Sequence, residues 1–188
     1  YPYVTSSHPV SGGVFTDVGL SPRNIEVIGI VKAYTSRVGK GPFVTELKDN
    51  RGEIIRKVGK EFGTTTGRPR RCGWLDLVML KYSAQINGFT SLAITKLDVL
   101  SGLDKVKVAV KYMLNGKEVN FPLTVQELEK VKPVYKEFAG FDVPQTVSDY
   151  TKLNKNAIKY LNFIQSYLEV PISIVSVGPR RSETLLKK

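Results

Sequence analysis

The chain has 188 residues, with 28 Lys or Arg against 17 Asp or Glu, so its formal net charge is +11. This length suits one domain with a sizeable core, and the charge predicts anionic partners. No apolar run approaches the about 20 residues of a membrane helix, and no secretory leader pattern is present. A single cysteine excludes an internal disulfide, so we expect a cytoplasmic protein without a membrane partner.

The first half of the chain predicts two buried strands and two helices. Residues 25–37 form a β-branched apolar run that turns polar, as a buried strand leading into a loop does. A short helix is predicted over residues 53–62, and a clearer one opens at Trp74 and ends at Asn87-Gly88. Residues 90–100, TSLAITKLDVL, then predict a buried strand that turns polar at Lys96.

The second half predicts a hairpin, then a helix and a last strand. Residues 106–112 alternate as a half-exposed strand, and Asn115-Gly116 is a strong hairpin signal. Strands are expected over 119–123 and 131–138, followed by a linker over 143–154. An amphipathic helix over 157–168 precedes the strand ISIVSVG, which ends at Gly178.

This alternation predicts an α/β fold with a mixed, largely parallel sheet, flanking helices and an appended antiparallel hairpin. We expect residues 1–188 to form one α/β unit with three regions. Residues 1–100 carry anion loops and a nucleotide strand, 101–145 the hairpin, and 146–188 a helix, a strand and a closing loop.

Residues 61–74, EFGTTTGRPRRCGW, combine the chemistry of an anion site. The three threonines 64–66 offer hydroxyl and N–H donors, and Gly67 permits a positive φ. Arg68, Arg70 and Arg71 supply planar forks suited to carboxylate or phosphate oxygens. The same residues are also compatible with a solvated basic turn before a helix.

Thr95-Lys96-Leu97-Asp98, at a strand end, has the groups that guanine recognition needs. The Asp98 carboxylate can accept from the N1–H and the exocyclic amine of guanine, while the Lys96 stem lies on the ring. The alternative is a Lys–Asp ion pair at a strand exit. In open α/β sheets ligands bind at the carboxyl ends of strands, so Ser176-Val177-Gly178 is expected to face the same crevice. We also expect Asp98 and Arg68 to face one crevice.

The sequence contains no phosphate loop of the GxxxxGK[ST] kind, no metal-ligand spacing and no nucleophile–base arrangement. His8 is the only histidine, and Cys72 favours packing next to an apolar segment. We therefore expect no catalytic residue and no metal ligand in this chain. A guanine pocket without a phosphate loop is typical of the second part of a nucleotide enzyme.

Five segments, in order, resemble the carboxyl-terminal portion of the adenylosuccinate synthetase family. They are YPYVTSS (1–7), KAYTSRVGKGPFVTEL (32–47), EFGTTTGRPRRCGWLD (61–76), TKLDVL (95–100) and SVGPRRSET (176–184). The resemblance implies a P-loop-NTPase-like fold, incomplete here. It also implies a GTP-dependent ligase that joins IMP and L-aspartate into adenylosuccinate through 6-phosphoryl-IMP, in AMP biosynthesis.

The resemblance further implies a homodimer and Mg²⁺, with the magnesium ligands and catalytic residues in an amino-terminal portion. We therefore expect this chain to be inactive alone. It assigns IMP contacts to Thr5, Val38 and Arg68. It assigns aspartate contacts to Thr64, Thr65, Thr66, Gly67, Arg68 and Arg70. It assigns GTP contacts to Arg70, Lys96, Leu97, Asp98, Ser176, Val177 and Gly178.

The alternative is a non-catalytic basic domain that binds anions or nucleic acid, which the charge of +11 would favour. The lysines are spread along the whole chain, however, and no aromatic-basic stacking pattern or recognition helix is visible. We therefore expect GTP, IMP and L-aspartate as ligands, and no nucleic acid.

Overall fold

A computed structural model describes residues 8–122, 124–144 and 146–187. The α-helices are α1 Gly13–Asp17, α2 Asn50–Val58, α3 Leu77–Asn87, α4 Val125–Leu128 and α5 Lys155–Leu168. The strands are β1 Ile28–Lys32, β2 Thr35–Arg37, β3 Arg71–Gly73, β4 Leu75–Asp76, β5 Ser91–Thr95, β6 Lys105–Leu114, β7 Lys117–Val119, β8 Lys132–Ala139, β9 Ile172–Ser176 and β10 Thr184–Leu186. Short 3-10 helices cover Leu97–Leu100, Tyr150–Lys152 and Arg181–Glu183.

The first sheet has the strand order β1-β5-β9-β10. β1, β5 and β9 are parallel, with Lys32 opposite Thr95 and Ile94 opposite Val175, whereas β10 runs antiparallel to β9. Because parallel strands end at the same edge, the residues after β1, β5 and β9 lie side by side. This edge carries the polar segments that the sequence singled out.

The second sheet contains the predicted hairpin. β6 and β7 are antiparallel around Asn115-Gly116, where φ is 50° and 80°, as a type I′ turn requires. β8 also pairs antiparallel with β6, while the short β4 pairs parallel to it. The predicted mixture of parallel strands, helices and an antiparallel hairpin is therefore confirmed.

The helices form where local caps allow them. The α2 helix begins after Asp49, whose carboxylate accepts from the N–H groups of Arg51 and Gly52. The α3 helix begins at Leu77, three residues later than predicted, because Leu75 and Asp76 join the second sheet and Asp76 caps Met79 N–H. Trp74, expected to open the helix, instead lies buried before it.

The predicted strand over residues 25–37 is divided into β1 and β2. β2 leaves the first sheet and pairs antiparallel with β3, with Ser36 opposite Cys72. The apolar core continues from the first sheet through α3 and α5 to β6. Within the described residues, no helix is long and apolar enough to cross a membrane.

Candidate functional site

A cavity of about 850 Å³ lies at the carboxyl edge of the parallel strands. Its lining includes Lys96 and Asp98 from the segment after β5, and Ser176 and Gly178 from the end of β9 and the turn after it. The two sequence segments expected to face one crevice therefore meet there. We call this space the Asp98 cavity.

Asp98 lines the cavity and has one unused acceptor. Its Oδ1 atom is buried and has no hydrogen-bond partner among the described residues. Burial raises the pKa of this carboxyl, and the nearby Glu183 raises it further, while Lys96 acts in the opposite direction. An unpaired buried acceptor costs about 1–3 kcal/mol, so a ligand with matching donors gains by filling this position.

Lys96 extends along the cavity wall. Its backbone has a φ of 58°, and its Nζ donates to Gly59 O at 2.6 Å and to Glu61 Oε1 at 3.1 Å. The stem therefore runs from the end of β5 toward the turn after α2. A planar ring in the cavity can pack against this stem.

The turn after β9 is fixed by Glu183. The Glu183 Oε2 atom accepts from Arg180 N–H at 2.6 Å, and Glu183 O accepts from Val177 N–H at 2.9 Å. A Cβ atom on Gly178 would lie 2.5 Å from the Glu183 carboxyl group, so a side chain there would displace it. Leu97 and Val177, by contrast, are fully buried in the core and are not among the residues that line the Asp98 cavity.

The arginine-rich segment forms a closed loop between Glu61 and Arg70. Arg70 N–H donates to Glu61 O at 2.9 Å, and Gly63 N–H donates to Arg68 O at 2.8 Å. Gly67, which permits a positive φ, has a φ of 63°. Residues 64–69 are exposed, so the threonine hydroxyls and Arg68 are open to solvent. Arg68 is not among the residues that line the Asp98 cavity.

Arg71 is not available as an anion ligand, contrary to the prediction from the arginine pattern. Its Nε and Nη2 atoms donate to the two carboxylate oxygens of Glu46 at 2.7 Å each, and Nη1 donates to Gly41 O at 2.8 Å. Arg71 therefore braces the loop that follows β2. Val38 lies on this loop and is 57% exposed.

Glu61 is a central residue that sequence reasoning missed. Its side chain is fully buried, and it accepts from Lys32 Nζ at 2.8 and 3.0 Å, from Tyr34 OH at 2.5 Å and from Arg70 Nη1 at 3.0 Å, in addition to Lys96. Burial works against ionisation, but the hydrogen bonds from Lys32, Tyr34 and Lys96 outweigh it and lower the pKa of Glu61 to about 2. The carboxylate therefore stays ionised.

Three cations surround this single carboxylate, which leaves two positive charges uncompensated within the cluster of Lys32, Arg70 and Lys96. We call this group, with Glu61 and Tyr34, the Glu61 cluster. An anionic ligand fits this excess of charge. The available sequence signal is Lys32, which closes β1 at the same sheet edge as Lys96.

The remaining candidates are structural or lie elsewhere. His8 Nδ1 lies 2.8 Å from Asp17 Oδ1 on the surface. Cys72 is buried, and its burial raises the pKa of the thiol to about 11, in agreement with a packing role. The prediction for Thr5 falls outside the described residues. Among the residues that the structure covers, no group of three or more His, Cys, Asp or Glu is placed to hold a metal.

The parallel strands, the cavity at their carboxyl edge and the cationic cluster beside it define the class: an α/β protein with a ligand site at the ends of its strands. A family model described as adenylosuccinate synthetase matches residues 1–185. The chain belongs to the adenylosuccinate synthetase family, and the resemblance seen in the five sequence segments is confirmed.

Relatives and solved structures agree with this assignment. The chain is 54% identical to the adenylosuccinate synthetase of Thermodesulfovibrio yellowstonii, over 100% of this chain and 45% of that protein. It is 52% identical to that of Caldanaerobacter subterraneus, over 99% and 44%. The structure of the fully ligated Plasmodium falciparum adenylosuccinate synthetase superposes with a TM-score of 0.97 at 42% identity, over 100% of this chain and 46% of that one. The chain thus spans less than half the length of these relatives.

Proposed function

We propose that this chain supplies the purine-binding and acid-binding part of a GTP-dependent ligase that joins IMP and L-aspartate into adenylosuccinate. The γ-phosphoryl group of GTP is transferred to the 6-oxygen of IMP, and the aspartate amine then displaces the phosphate. Membership of the adenylosuccinate synthetase family supports this activity. It belongs to the route to AMP.

One observation carries the proposal: Asp98, whose buried Oδ1 atom has no partner among the described residues, lines a cavity together with Lys96, Ser176 and Gly178. Guanine offers the N1–H and the exocyclic amine on one edge, which match the two carboxylate oxygens. Adenine has no such donor pair, so the unpaired acceptor would discriminate against ATP. The Lys96 stem completes the proposed base contacts, whereas Leu97 and Val177, which are fully buried, are left out of them.

The loop of residues 64–70, which is exposed over residues 64–69, is proposed to take the aspartate carboxylates. Its threonine hydroxyls and the Arg68 fork offer the charge-assisted donors that two carboxylates need. Arg68 also contacts IMP, together with Thr5 and the backbone of Val38. Arg70 faces both ligands, because its guanidinium belongs to the Glu61 cluster and its backbone closes the loop.

The remaining chemistry is assigned to other parts of a complete enzyme. Phosphoryl transfer needs a cation such as Mg²⁺ and a proton acceptor, and we propose that both are held by residues outside this chain. The complete enzyme is proposed to be a cytoplasmic homodimer. By itself the chain is expected to be inactive.

The basic surface alone would also suit a nucleic-acid-binding domain, and salt separates the two functions. A duplex binder that neutralises several phosphates loses affinity with a logarithmic slope of about −0.9 for each phosphate contacted. The ligase proposal predicts weak, sequence-independent DNA binding and strong thermal protection by IMP with GTP.

The experiment that tests the proposal is Asp98→Asn in a polypeptide of full family length that carries this chain. The amide would present a donor where the carboxylate accepted, so xanthine, with its 2-oxo group, should replace guanine. We expect the KM for GTP to rise about 10- to 100-fold, the range of one or two hydrogen bonds to a charged group, and XTP to become a substrate.

A matched control is Asp104→Asn, which removes the same charge at an exposed position outside the Asp98 cavity. It should leave the KM for GTP unchanged. Unaltered GTP dependence in Asp98→Asn would remove Asp98 from the base pocket and with it the observation on which the proposal depends.

A further inference from the structure

We propose that Glu61 is a positioning residue that couples the purine cavity to the arginine loop. One buried carboxylate orients both Lys96 and Arg70, so its loss should weaken GTP and aspartate binding together. This inference rests on the proposed ligase function, because it assigns those two ligands to the two sides of the cluster.

The convergence of distant segments is the first support. Lys32 closes β1, Lys96 follows β5, and Arg70 closes the arginine loop, yet all three donate to one side chain. Glu61 itself opens the loop, and its backbone carbonyl accepts from Arg70 N–H. Both ends of the loop are thus fixed at the point where the Lys96 ammonium is held.

One oxygen of Glu61 contacts Lys96, on the side of the Asp98 cavity, and the other contacts Arg70, in the arginine loop. Oε1 accepts from Lys96 and Tyr34, and Oε2 accepts from Arg70 at 3.0 Å. Lys32 contacts both oxygens and also donates to Ser36 Oγ at 2.7 Å. Because a carboxylate is planar and rigid, a rotation of the Glu61 carboxylate that shortens its hydrogen bond to Lys96 changes its hydrogen bond to Arg70 as well. The positions of Lys96 and Arg70 are therefore linked.

The pattern of exposure shows which members of the cluster a ligand can reach. Glu61 is 0% exposed, whereas the side chains of Lys32, Arg70 and Lys96 are 29%, 29% and 36% exposed. The cations face outward and the carboxylate lies behind them. In the Glu46–Arg71 pair, by contrast, one carboxylate neutralises one guanidinium group, so no positive charge is left over. Glu61 therefore acts on ligands through its partners.

The test uses a double-mutant cycle in a polypeptide of full family length that carries this chain. Glu61→Gln should raise the KM for GTP and the KM for aspartate about tenfold each, the size of one lost charge-assisted hydrogen bond on each side. Lys96→Met should raise mainly the KM for GTP. In the Lys96→Met background, adding Glu61→Gln should change the KM for GTP by less than about twofold, while its effect on aspartate persists.

This non-additivity is a result that a merely structural role would not produce. Asp76→Asn is the control, because Asp76 is another buried carboxylate and accepts from Tyr112 in the second sheet. It should leave the ratio of the KM for GTP to the KM for aspartate unchanged. If Glu61→Gln does not fold, Glu61→Asp replaces it, because Asp keeps the negative charge on a side chain one methylene shorter. The same non-additive change in the KM for GTP is expected.

The outcomes are distinct. A GTP effect of Glu61→Gln that is equally large with and without Lys96 would overturn the positioning role while leaving the ligase function intact. A wild-type protein that forms no adenylosuccinate would overturn both. Titration with GDP by calorimetry gives a second readout: the loss of GDP affinity in Glu61→Gln should likewise disappear in the Lys96→Met background.

Discussion

The depressed pKa of Glu61 predicts a specific dependence of stability on pH. The ordinary value of 4.5 falls to about 2 in the folded chain, because the hydrogen bonds from its partners outweigh the effect of burial. A carboxyl whose folded pKa is lowered contributes stability above its unfolded pKa and loses it as pH falls through the folded pKa. The contribution of Glu61 is therefore present above about pH 4.5.

The magnitude follows from the size of the shift. A change of about two and a half units corresponds to about 3 kcal/mol at pH 7, since one unit is about 1.4 kcal/mol. At pH 3, between the two pKa values, only about 1 kcal/mol remains, and at lower pH the contribution disappears. The Glu61 side chain is fully buried, but its three cations are 29–36% exposed, so solvent screens part of the effect and about 3 kcal/mol is an upper value.

Urea unfolding of wild type and Glu61→Gln across pH 7 to 3 measures this quantity directly. The fluorescence of Trp74, which is 2% exposed and the only tryptophan of the chain, reports the transition. The difference in unfolding free energy should be constant from pH 7 to about 5 and then shrink by about 2 kcal/mol by pH 3. A difference that stays the same over this range would refute the claim that Glu61 is held ionised by its partners.

Two further predictions concern the segment that leads from the arginine loop into β4. Gly73→Ala should destabilise the fold by about 1–3 kcal/mol, because a Cβ there would lie 2.3 Å from Thr45 O, whereas Gly12→Ala, with open space around it, should be neutral in thermal melts. Cys72 should react with a thiol reagent at pH 8 only after unfolding in urea, since it is buried with a pKa near 11. Rapid labelling of the native protein would contradict the packing role.

The placement of the loops at the carboxyl edge of the first sheet could be predicted from sequence because it follows from topology. Once the apolar runs before Lys96 and Ser176 are taken as parallel strands, their carboxyl ends must share an edge. The sequence also showed that Gly67 permits a positive φ, because glycine has no side chain, and the structure uses this freedom. These inferences need only local pattern and one rule of sheet geometry.

The boundaries around Trp74 could not be predicted in the same way. Apolar residues at Leu75, Val78 and Met79 have helical spacing, but pairing of β4 with β6 removes Leu75 and Asp76 from the helix. β10 was missed as well, because its three residues are extended only through pairing with β9. In each case a contact between segments distant in sequence overrides the local preference.

Arg70 and Arg71 are neighbours in sequence but pair with different glutamates, and this difference follows a rule that can be applied to the sequence. Successive side chains of an extended chain point to opposite faces, and here Arg70 turns to Glu61 while Arg71 turns to Glu46. The period of two thus turns the two neighbouring arginines to different glutamates, and Glu46 neutralises the charge of Arg71. The identity of Glu61 as the partner, by contrast, depends on β1 and β5 being neighbours in the sheet, which no local pattern specifies. An acidic residue at the start of a basic loop is therefore worth testing as its organising group whenever two lysines end adjacent strands.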